Sequence, residues 1–293
     1  MRIPPILSRS LPVLSRSLKG LALGVGLAAT PAAAAPKADL LDRWLAHDAA
    51  STVTVDHGAW DRLLGRYVSL DADGLARFDY GAVTGDDEDA LADYIDTLSD
   101  TDVDGLNRAE QMAFWLNAYN AVTVAVVLED YPVDSIKEVR GGLFNTGPWR
   151  DKLFTVHGEE LSLDDIEHRI LRPIWADPRI HYGVNCASVG CPNLAAKAFT
   201  GANLDALLTD GAVAYVNSPR GVLGIDGRGV RVSSIYHWFK QDFGNTDAGV
   251  IAHLKQYAAP GLAARLDGIT RVSGHAYDWT LNDATRANAR ASR

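Results

Sequence analysis

The hydrophobic and polar positions of the chain predict one long helix surrounded by shorter elements. The stretch NRAEQMAFWLNAYNAVTVAVVLE, residues 107–129, contains neither Gly nor Pro and is apolar on nearly all sides, which is the pattern of a helix buried in a core. Glu110, Asn117 and Asn120 nevertheless share one face of it, because they are seven and three residues apart. Buried polar groups need partners, so this face is predicted either to bind neighbouring loops or to line a site.

The remaining patterns predict a single α+β domain over residues 35–282, with a buried central helix and a small antiparallel sheet, followed by a loose C-terminal tail at 283–293. We find no internal repeat and no linker between domains. Turn residues such as Asp-Ala-Asp-Gly and His-Gly separate short alternating runs and indicate hairpins. The predicted helices cover 37–66, 86–98, 162–171, 204–216, 233–243 and 247–258, the hairpins turn at 71–74, 157–158 and 226–228, and a last strand covers 271–279.

The most reactive side chains lie in one stretch, RIHYGVNCASVGCPNL at residues 179–194. It contains both cysteines of the chain, Cys186 and Cys191, and His181 five residues before the first of them. Ile180, Tyr182 and Val184 alternate with more polar residues, which predicts a β-strand that runs into a tight loop. A thiol on a loop beside an imidazole on a strand is a common way to build a cysteine nucleophile.

The N-terminus has the order of a secretory signal. Basic residues precede the apolar run at 20–29, and Ala32 and Ala34 provide small residues for a cleavage site. We therefore predict a signal peptide at residues 1–34 and a periplasmic or secreted protein, without integral membrane association after processing. The signal carries Arg2, Arg9, Arg16 and Lys19 and no acidic residue, so its removal lowers the net charge from −9 to −13. That charge argues against nucleic acid as a partner.

Three blocks of sequence together resemble a family of domains of unknown function, family 547. They are EQMAFWLNAYNAV at 110–122, ILRPIWADPRIHYGVNCASVGCPNL at 170–194 and SSIYHWFKQDFG at 233–244, and the resemblance extends roughly over residues 55–245. It implies a fold similar to a rearranged papain or transglutaminase-like enzyme. It also implies a polar centre made of Glu110, His181 and Cys186.

These residue types suit cysteine-dependent catalysis. Cys186 would be the nucleophile, His181 its base and Glu110 the group that orients the imidazole, while Asn117, Asn120 and Asn185 are candidates for binding the substrate or its oxyanion. Five residues of extended strand span roughly 16 Å, so the loop must fold back for Cys186 to reach His181. Cys191 is therefore a second candidate nucleophile.

The function predicted from these residues is an exported cysteine-dependent hydrolase or acyl transferase, of the peptidase, amidase or transglutaminase kind, that acts on an amide or peptide bond. The alternative is a non-catalytic periplasmic binding or interaction domain with a Cys186–Cys191 disulfide, in which His181 is an ordinary core histidine. Glu, His and Cys could also ligate zinc, but they lack the short paired spacing of zinc sites. We therefore predict no metal and no other cofactor.

Overall fold

The computed structural model describes residues 37–140, 146–227 and 229–285. A π-helix, Asp165–Leu171, runs directly into the short helix Arg172–Trp175, and single 3₁₀ turns connect several other elements. The helices of the described ranges are α1 Gly58–Tyr67, α2 Gly85–Ser99, α3 Arg108–Asp130, α4 Arg172–Trp175, α5 Ile180–Gly183, α6 Leu204–Val216, α7 Ser234–Trp238, α8 Asp247–Tyr257 and α9 Pro260–Leu266, and the 3₁₀ turns are Asp42–Leu45, Tyr80–Ala82, Val103–Gly105, Ile136–Glu138 and Lys240–Phe243.

The strands of the described ranges form three small sheets. The first two sheets are antiparallel hairpins, β1–β2 and β3–β4, and in the third sheet β6 pairs antiparallel with β5 and parallel with β7. The α+β class is thus confirmed, although the third sheet is mixed because α7, α8 and α9 form a long crossover between β6 and β7. The strands are β1 Val68–Leu70, β2 Ala76–Phe78, β3 Phe154–Val156, β4 Glu159–Leu161, β5 Val222–Asp226, β6 Gly229–Ser233 and β7 Val272–Ala276.

Helix α3 forms the centre of the core, as its apolar pattern predicts. Asn107 caps it, because its side-chain oxygen accepts a hydrogen bond from the Glu110 amide at 3.0 Å. Ala113, Phe114 and Leu116 have no exposed surface. The helix is long and apolar enough to cross a membrane, but 89% of its most apolar window is buried inside the protein. It is therefore the core helix of this domain.

The described residues fall within one compact unit, Ala35–Arg293, and bury two neighbouring hydrophobic clusters. The larger cluster surrounds α3, and the smaller one lies between α6, β6 and α8. Residues on α5 contribute to both clusters, because Ile180 packs into the larger one and Tyr182 into the smaller one. The short helix that carries His181 therefore sits where the two clusters meet.

The strand predicted at residues 180–184 is wrong: α5 is a single helical turn. The Arg179 amide donates to the Asp177 side chain at 2.8 Å and the Ile180 amide to the Asp177 carbonyl at 3.1 Å, which begins the turn. The apolar residues alternate because Ile180 and Val184 pack into the larger cluster and Tyr182 packs into the smaller one. A half-buried strand would instead bury only every second residue. All residues from 180 to 185 are buried.

Two other predictions are corrected at the ends of the domain. The predicted helix at 37–66 forms only the 3₁₀ turn and α1, because side chains of α3 bind the backbone of the segment between them, at Ala46 and Val55. Asp283, assigned to the loose tail, is 1% exposed and pairs with Phe78. The signal peptide at 1–34 and the end of the tail at 286–293 lie outside the described residues.

Candidate functional site

The cysteine loop begins directly after α5 and is bent by its own side chains. Ala187, next to Cys186, has a φ of +56°, a left-handed conformation that is costly for a residue with a side chain. The Asn185 side chain supports this bend, since its Oδ1 accepts from the Ala187 amide at 2.9 Å. The Asn282 amide donates to the Ala187 carbonyl at 3.0 Å. The backbone beside the thiol is therefore held in a fixed, unfavourable conformation.

The segment that follows β7 forms one wall of the loop. The amides of Val189 and Gly190 donate to the carbonyls of Thr280 and Asp278 at 2.7 and 2.8 Å. Gly190 is required here, because a Cβ atom on it would lie 2.8 Å from both the amide nitrogen and the carbonyl oxygen of Asp278. This close approach brings Tyr277 to the sulfur of Cys186.

The sulfur of Cys186 has three side-chain partners among the described residues. It lies 2.7 Å from the Cys191 sulfur, 3.1 Å from the Ser188 hydroxyl and 3.0 Å from the Tyr277 hydroxyl. The two hydroxyls are 3.1 Å apart. Both cysteines are free thiols in this structure. Cys186 is partly exposed, whereas Cys191 is buried.

These contacts separate the acidities of the two thiols. Burial raises the pKa of Cys186, but hydrogen bonds from Cys191, Ser188 and Tyr277 outweigh it, so that the pKa is lowered overall. Burial and the neighbouring Cys186 raise the pKa of Cys191 well above its usual value. Burial and both cysteines likewise raise the pKa of Tyr277, which keeps its phenol protonated. The arrangement therefore favours a Cys186 thiolate surrounded by neutral donors.

His181 belongs to a second polar centre, which we call the acid–histidine cluster and which consists of Glu167, His168, Arg172, His181 and Asp242. The Nε2 atom of His181 lies 2.8 Å from Asp242 Oδ2 and its Nδ1 lies 3.5 Å from Glu167 Oε1. Arg172 also binds Asp242, through Nε at 2.6 Å. The ring of Phe239 stacks on His181, with centroids 4.3 Å apart.

The charges of this cluster stabilise one another. Burial lowers the pKa of His181, but hydrogen bonds to Asp242 and Glu167 outweigh it and raise the pKa overall. Burial raises the pKa of both carboxyls, yet the neighbouring cations lower that of Glu167 to about 2 and that of Asp242 to about 2. The raised pKa favours the imidazolium form of His181, and both ring nitrogens face carboxylates, Asp242 from Nε2 and Glu167 from Nδ1.

The predicted Cys186–His181 pair is not joined by a hydrogen bond among the contacts of the described residues. Among the described residues the hydrogen-bonding partners of the Cys186 sulfur are Cys191, Ser188 and Tyr277, and those of the His181 ring are carboxylates. The two centres are neighbours along the chain, because α5, which carries His181, ends at Gly183, directly before the cysteine loop.

Glu110 holds two backbone segments at the start of α3. Its Oε1 accepts from the Val55 amide at 2.9 Å and its Oε2 from the Gly201 amide at 2.7 Å. Along α3, Glu110 is ten residues before Asn120, the residue that contacts the start of the cysteine loop, and ten residues of helix span about 15 Å. The contacts of Glu110 are therefore those of an anchor for two loops.

The three asparagines proposed to bind substrate also bind backbone. Asn117 donates to the Phe199 carbonyl at 2.7 Å and accepts from the Phe199 amide at 3.0 Å. Asn120 donates to the Gly183 carbonyl and accepts from the Asn185 amide, both at 2.8 Å. Asn185 donates to the Pro192 carbonyl at 2.7 Å. These contacts fit the interpretation in which the polar face of α3 binds neighbouring loops.

Sequence reasoning missed the donors and acceptors that complete both centres. Ser188 lies inside the CASVGC loop, and its spacing of two from Cys186 is the only local signal for it. Asp242 and Arg172 lie within the sequence blocks that carry the family resemblance. Tyr277 lies outside these blocks, in a segment that gave no sign of chemistry.

Aromatic side chains cluster around Tyr277, beside the thiol of Cys186. The ring of Tyr277 lies 4.6 Å from that of Trp279 and 4.9 Å from that of Trp238. Lys137 places its ammonium 4.1 Å from the centre of the Trp279 ring. Within the described ranges no group of three or more His, Cys, Asp and Glu side chains is arranged to hold a metal ion. The described thiol site thus borders aromatic surface.

The comparisons with known proteins agree with the family resemblance. Residues 103–216 match the model of a family described as "Protein of unknown function, DUF547". The match includes Glu110, His181 and both cysteines, while the third block of the resemblance, 233–244, lies outside it. No curated protein and no solved structure matches the chain. The match supports the family, and the papain or transglutaminase-like fold stays a prediction.

Proposed function

We propose that the protein is a cysteine-dependent hydrolase or acyl transferase that acts on an amide or peptide bond through Cys186. The observation that supports the proposal is that Cys186, a partly exposed residue, has donors from Cys191, Ser188 and Tyr277 within 2.7 to 3.1 Å of its sulfur. Hydrogen bonds to a thiolate stabilise it, and the thiolate is the nucleophilic form of cysteine. The strained Ala187 beside it is also typical of a functional site.

The proposed reaction begins with attack of the Cys186 thiolate on the substrate carbonyl carbon. The carbon–nitrogen bond then breaks, and the leaving amine takes its proton from the Tyr277 hydroxyl, which leaves a thioester on Cys186. Water or a second amine attacks the thioester and gives a proton to the Tyr277 phenolate. The new acid or amide is released, and the Cys186 thiolate is restored.

This proposal gives His181 and Glu110 different roles from those that the family resemblance implies. The acid–histidine cluster holds α5, and with it the start of the cysteine loop, through His181. Glu110 anchors the loops at Val55 and Gly201. We therefore propose that the protein shares with papain and transglutaminase-like enzymes the class of reaction, acyl transfer through a cysteine. The proton donor and acceptor in this proposal is Tyr277, where those enzymes would use an imidazole.

Trapping of the acyl-enzyme tests the proposal. Reduced protein is incubated with p-nitrophenyl acetate, and peptide mass spectrometry locates the acetyl group. We expect acetylation at Cys186, released by neutral hydroxylamine, in the wild type and in Cys191→Ala, and none at that position in Cys186→Ala. Acetylation of Cys191 alone, or of Cys186 no faster than of free cysteine at the same pH, would contradict the proposal.

The second candidate is a non-catalytic periplasmic binding domain with a Cys186–Cys191 disulfide. The 2.7 Å between the two sulfurs favours it, because a small movement brings them to bonding distance of about 2.05 Å. Counting free thiols on protein purified without reductant, followed by acetylation after reduction, separates the candidates. Two free thiols contradict a structural disulfide. A disulfide in protein whose Cys186 is not acetylated even after reduction supports the binding domain.

The proposed location is the periplasm or the extracellular space, on the signal pattern of residues 1–34. The partner proposed for the enzyme is a substrate that contains an amide or peptide bond. The net charge of −9 for the whole chain makes nucleic acid an unsuitable ligand.

A further inference from the structure

We propose that Cys186 and Cys191 form a thiol pair that reduces hydroperoxides, in which Cys186 attacks the peroxide and Cys191 resolves the product to a disulfide. This activity goes beyond acyl transfer. It shares with acyl transfer only the Cys186 nucleophile and requires Cys191 in addition. The contacts, the exposure and the hydroxyl donors of the pair each support it.

The first observation is the contact between the two thiols. Their sulfurs are 2.7 Å apart, and the Cys186 amide donates to the Cys191 sulfur at 2.9 Å. Cys191 is held in place by the turn itself, because its own amide donates to the Ser188 carbonyl at 3.0 Å. A disulfide can therefore form without unfolding of the loop.

The second observation is the difference in exposure. Cys186 is partly exposed, whereas Cys191 is 4% exposed and has its carbonyl bound by the guanidinium of Arg220. A dissolved peroxide thus reaches Cys186 first. Cys191 is buried and in contact with the Cys186 sulfur, so it is placed to react with an oxidised Cys186. This is the order that a two-thiol reaction requires, one thiol for the substrate and one for resolution.

The third observation is the pair of hydroxyls beside the Cys186 sulfur. Ser188 and Tyr277 lie 3.1 and 3.0 Å from it, and they lie 3.1 Å from each other. A hydroperoxide that approaches the sulfur meets both hydroxyls. They can donate to its oxygens as the oxygen–oxygen bond breaks and negative charge develops on the leaving oxygen.

The Cys186 thiolate attacks the terminal oxygen of the hydroperoxide, the oxygen–oxygen bond breaks, and the released alkoxide takes the Tyr277 proton to form an alcohol. Cys186 is oxidised to sulfenic acid, and the peroxide is reduced. Cys191 gives its proton to the Tyr277 phenolate and attacks the Cys186 sulfur, so that the disulfide forms and hydroxide leaves. A dithiol reductant then returns both cysteines to thiols.

The experiment uses the full chain, reduced with dithiothreitol and freed of reductant, and one equivalent of hydrogen peroxide at neutral pH. Intact mass and peptide mapping follow the products over time. We expect a Cys186–Cys191 disulfide in the wild type, formed faster than free cysteine is oxidised under the same conditions. In Cys191→Ser we expect sulfenic acid on Cys186, trapped by dimedone, and in Cys186→Ser neither product.

Tyr277→Phe tests the hydroxyl donor, with Tyr257→Phe as the matched control. Tyr257 is also partly exposed, and its hydroxyl binds Gln256 away from the thiols. We expect peroxide to react with Cys186 roughly tenfold more slowly in Tyr277→Phe, the effect of losing one hydrogen bond to a charged group, and at the wild-type rate in Tyr257→Phe.

Oxidation of Cys186 no faster than that of free cysteine, or first oxidation at Cys191, overturns the peroxide proposal. The rate of disulfide formation is read from the wild type alone, so the proposal does not depend on folding of a variant. If p-nitrophenyl acetate still acetylates Cys186 in that case, acyl transfer stands without it. If peroxide forms the disulfide rapidly while no ester acetylates Cys186, acyl transfer fails and the peroxide activity stands.

Discussion

The hydroxyl of Tyr277 lies 3.0 Å from the sulfur of Cys186, although the two residues are 91 positions apart in the chain. The contact depends on the close approach of Gly190 to the backbone of Asp278. It makes a residue near the C-terminus part of the environment of the thiol. The reactivity of Cys186 should therefore respond to a change at Tyr277.

Tyr277→Phe should slow the reaction of Cys186 with iodoacetamide at about pH 6. The phenol lowers the pKa of the thiol by hydrogen bonding to it, so its loss leaves less thiolate below the usual pKa of cysteine, about 8.5. We expect a decrease of about tenfold. The rate is measured by mass spectrometry over a pH series, with Tyr257→Phe as control, and a rate equal to that of the wild type would contradict the role of Tyr277.

His181→Ala should destabilise the fold by about 3–5 kcal/mol near pH 6, the usual cost of removing one partner from a buried ion pair. Urea unfolding followed by tryptophan fluorescence measures it. His237→Ala is the control, because that histidine is exposed. A loss below about 1 kcal/mol, typical of a surface pair, would argue against the acid–histidine cluster.

The destabilisation by His181→Ala should become smaller as the pH falls toward 3. Glu167 and Asp242 have pKa values of about 2 in the fold against 4.5 and 3.8 ordinarily, so their stabilisation is full above about pH 4.5 and is lost toward pH 2. The raised pKa of His181 contributes fully below its ordinary 6.5, and this contribution is lost as the pH rises through the folded value. The wild type should therefore gain most from the cluster between about pH 4.5 and 6.5. A cost independent of pH would contradict this linkage.

Glu110→Gln should destabilise the fold by about 1–3 kcal/mol, the cost of an unsatisfied buried group. Each carboxylate oxygen accepts from one backbone amide, of Val55 or Gly201, and the NH₂ group of Gln cannot accept from the second. Glu88→Gln is a matched control, because Glu88 lies exposed in the first turn of α2. Urea unfolding compares the two, and equal midpoints would argue against the anchoring role.

Phe114→Ala should cost about 3–5 kcal/mol, as for other large core truncations. Phe114 has no exposed surface and lies on α3. Leu70→Ala provides the comparison, since Leu70 is 68% exposed. The free energy of unfolding is measured in urea for both variants. A small effect at Phe114 would show that α3 is not the centre of the core.

The exported protein should begin near Ala35. Ala32 and Ala34 precede that position and provide the small residues of a signal cleavage site. Intact mass of protein from the periplasmic fraction measures the N-terminus, and an Ala34→Pro variant, which removes the small residue at the predicted site, should delay processing. Soluble protein that still begins at Met1 would contradict export by this signal.

The elements that the sequence predicted well are those with local causes. Helix α3 was predicted at 107–129 and observed at Arg108–Asp130, because Asn107 caps it and no Gly or Pro interrupts it. The hairpins at Asp71–Gly74 and at His157–Gly158 follow from their turn residues. Each of these signals lies within the element that it predicts.

The errors and omissions arise from contacts between distant parts of the chain. Alternation at Ile180 and Tyr182 resembled a strand, because nothing local indicates that the two residues pack into different clusters. Both cysteines could be named as candidates, since thiols are few. Their donor Tyr277 could not be named, because only the pairing of the loop with the segment after β7 brings it to Cys186.

The position of Tyr277 also sets an order for maturation during synthesis. The ribosome completes both cysteines long before it adds the phenol 91 residues later, so a nascent chain contains the thiols without the donor from the C-terminal segment. The pKa of Cys186 reaches its final, lowered value only when the segment after β7 pairs with the cysteine loop and adds the Tyr277 donor to those of Cys191 and Ser188. Late pairing of this segment with the cysteine loop would keep the Cys186 thiol less reactive while the chain is still being made.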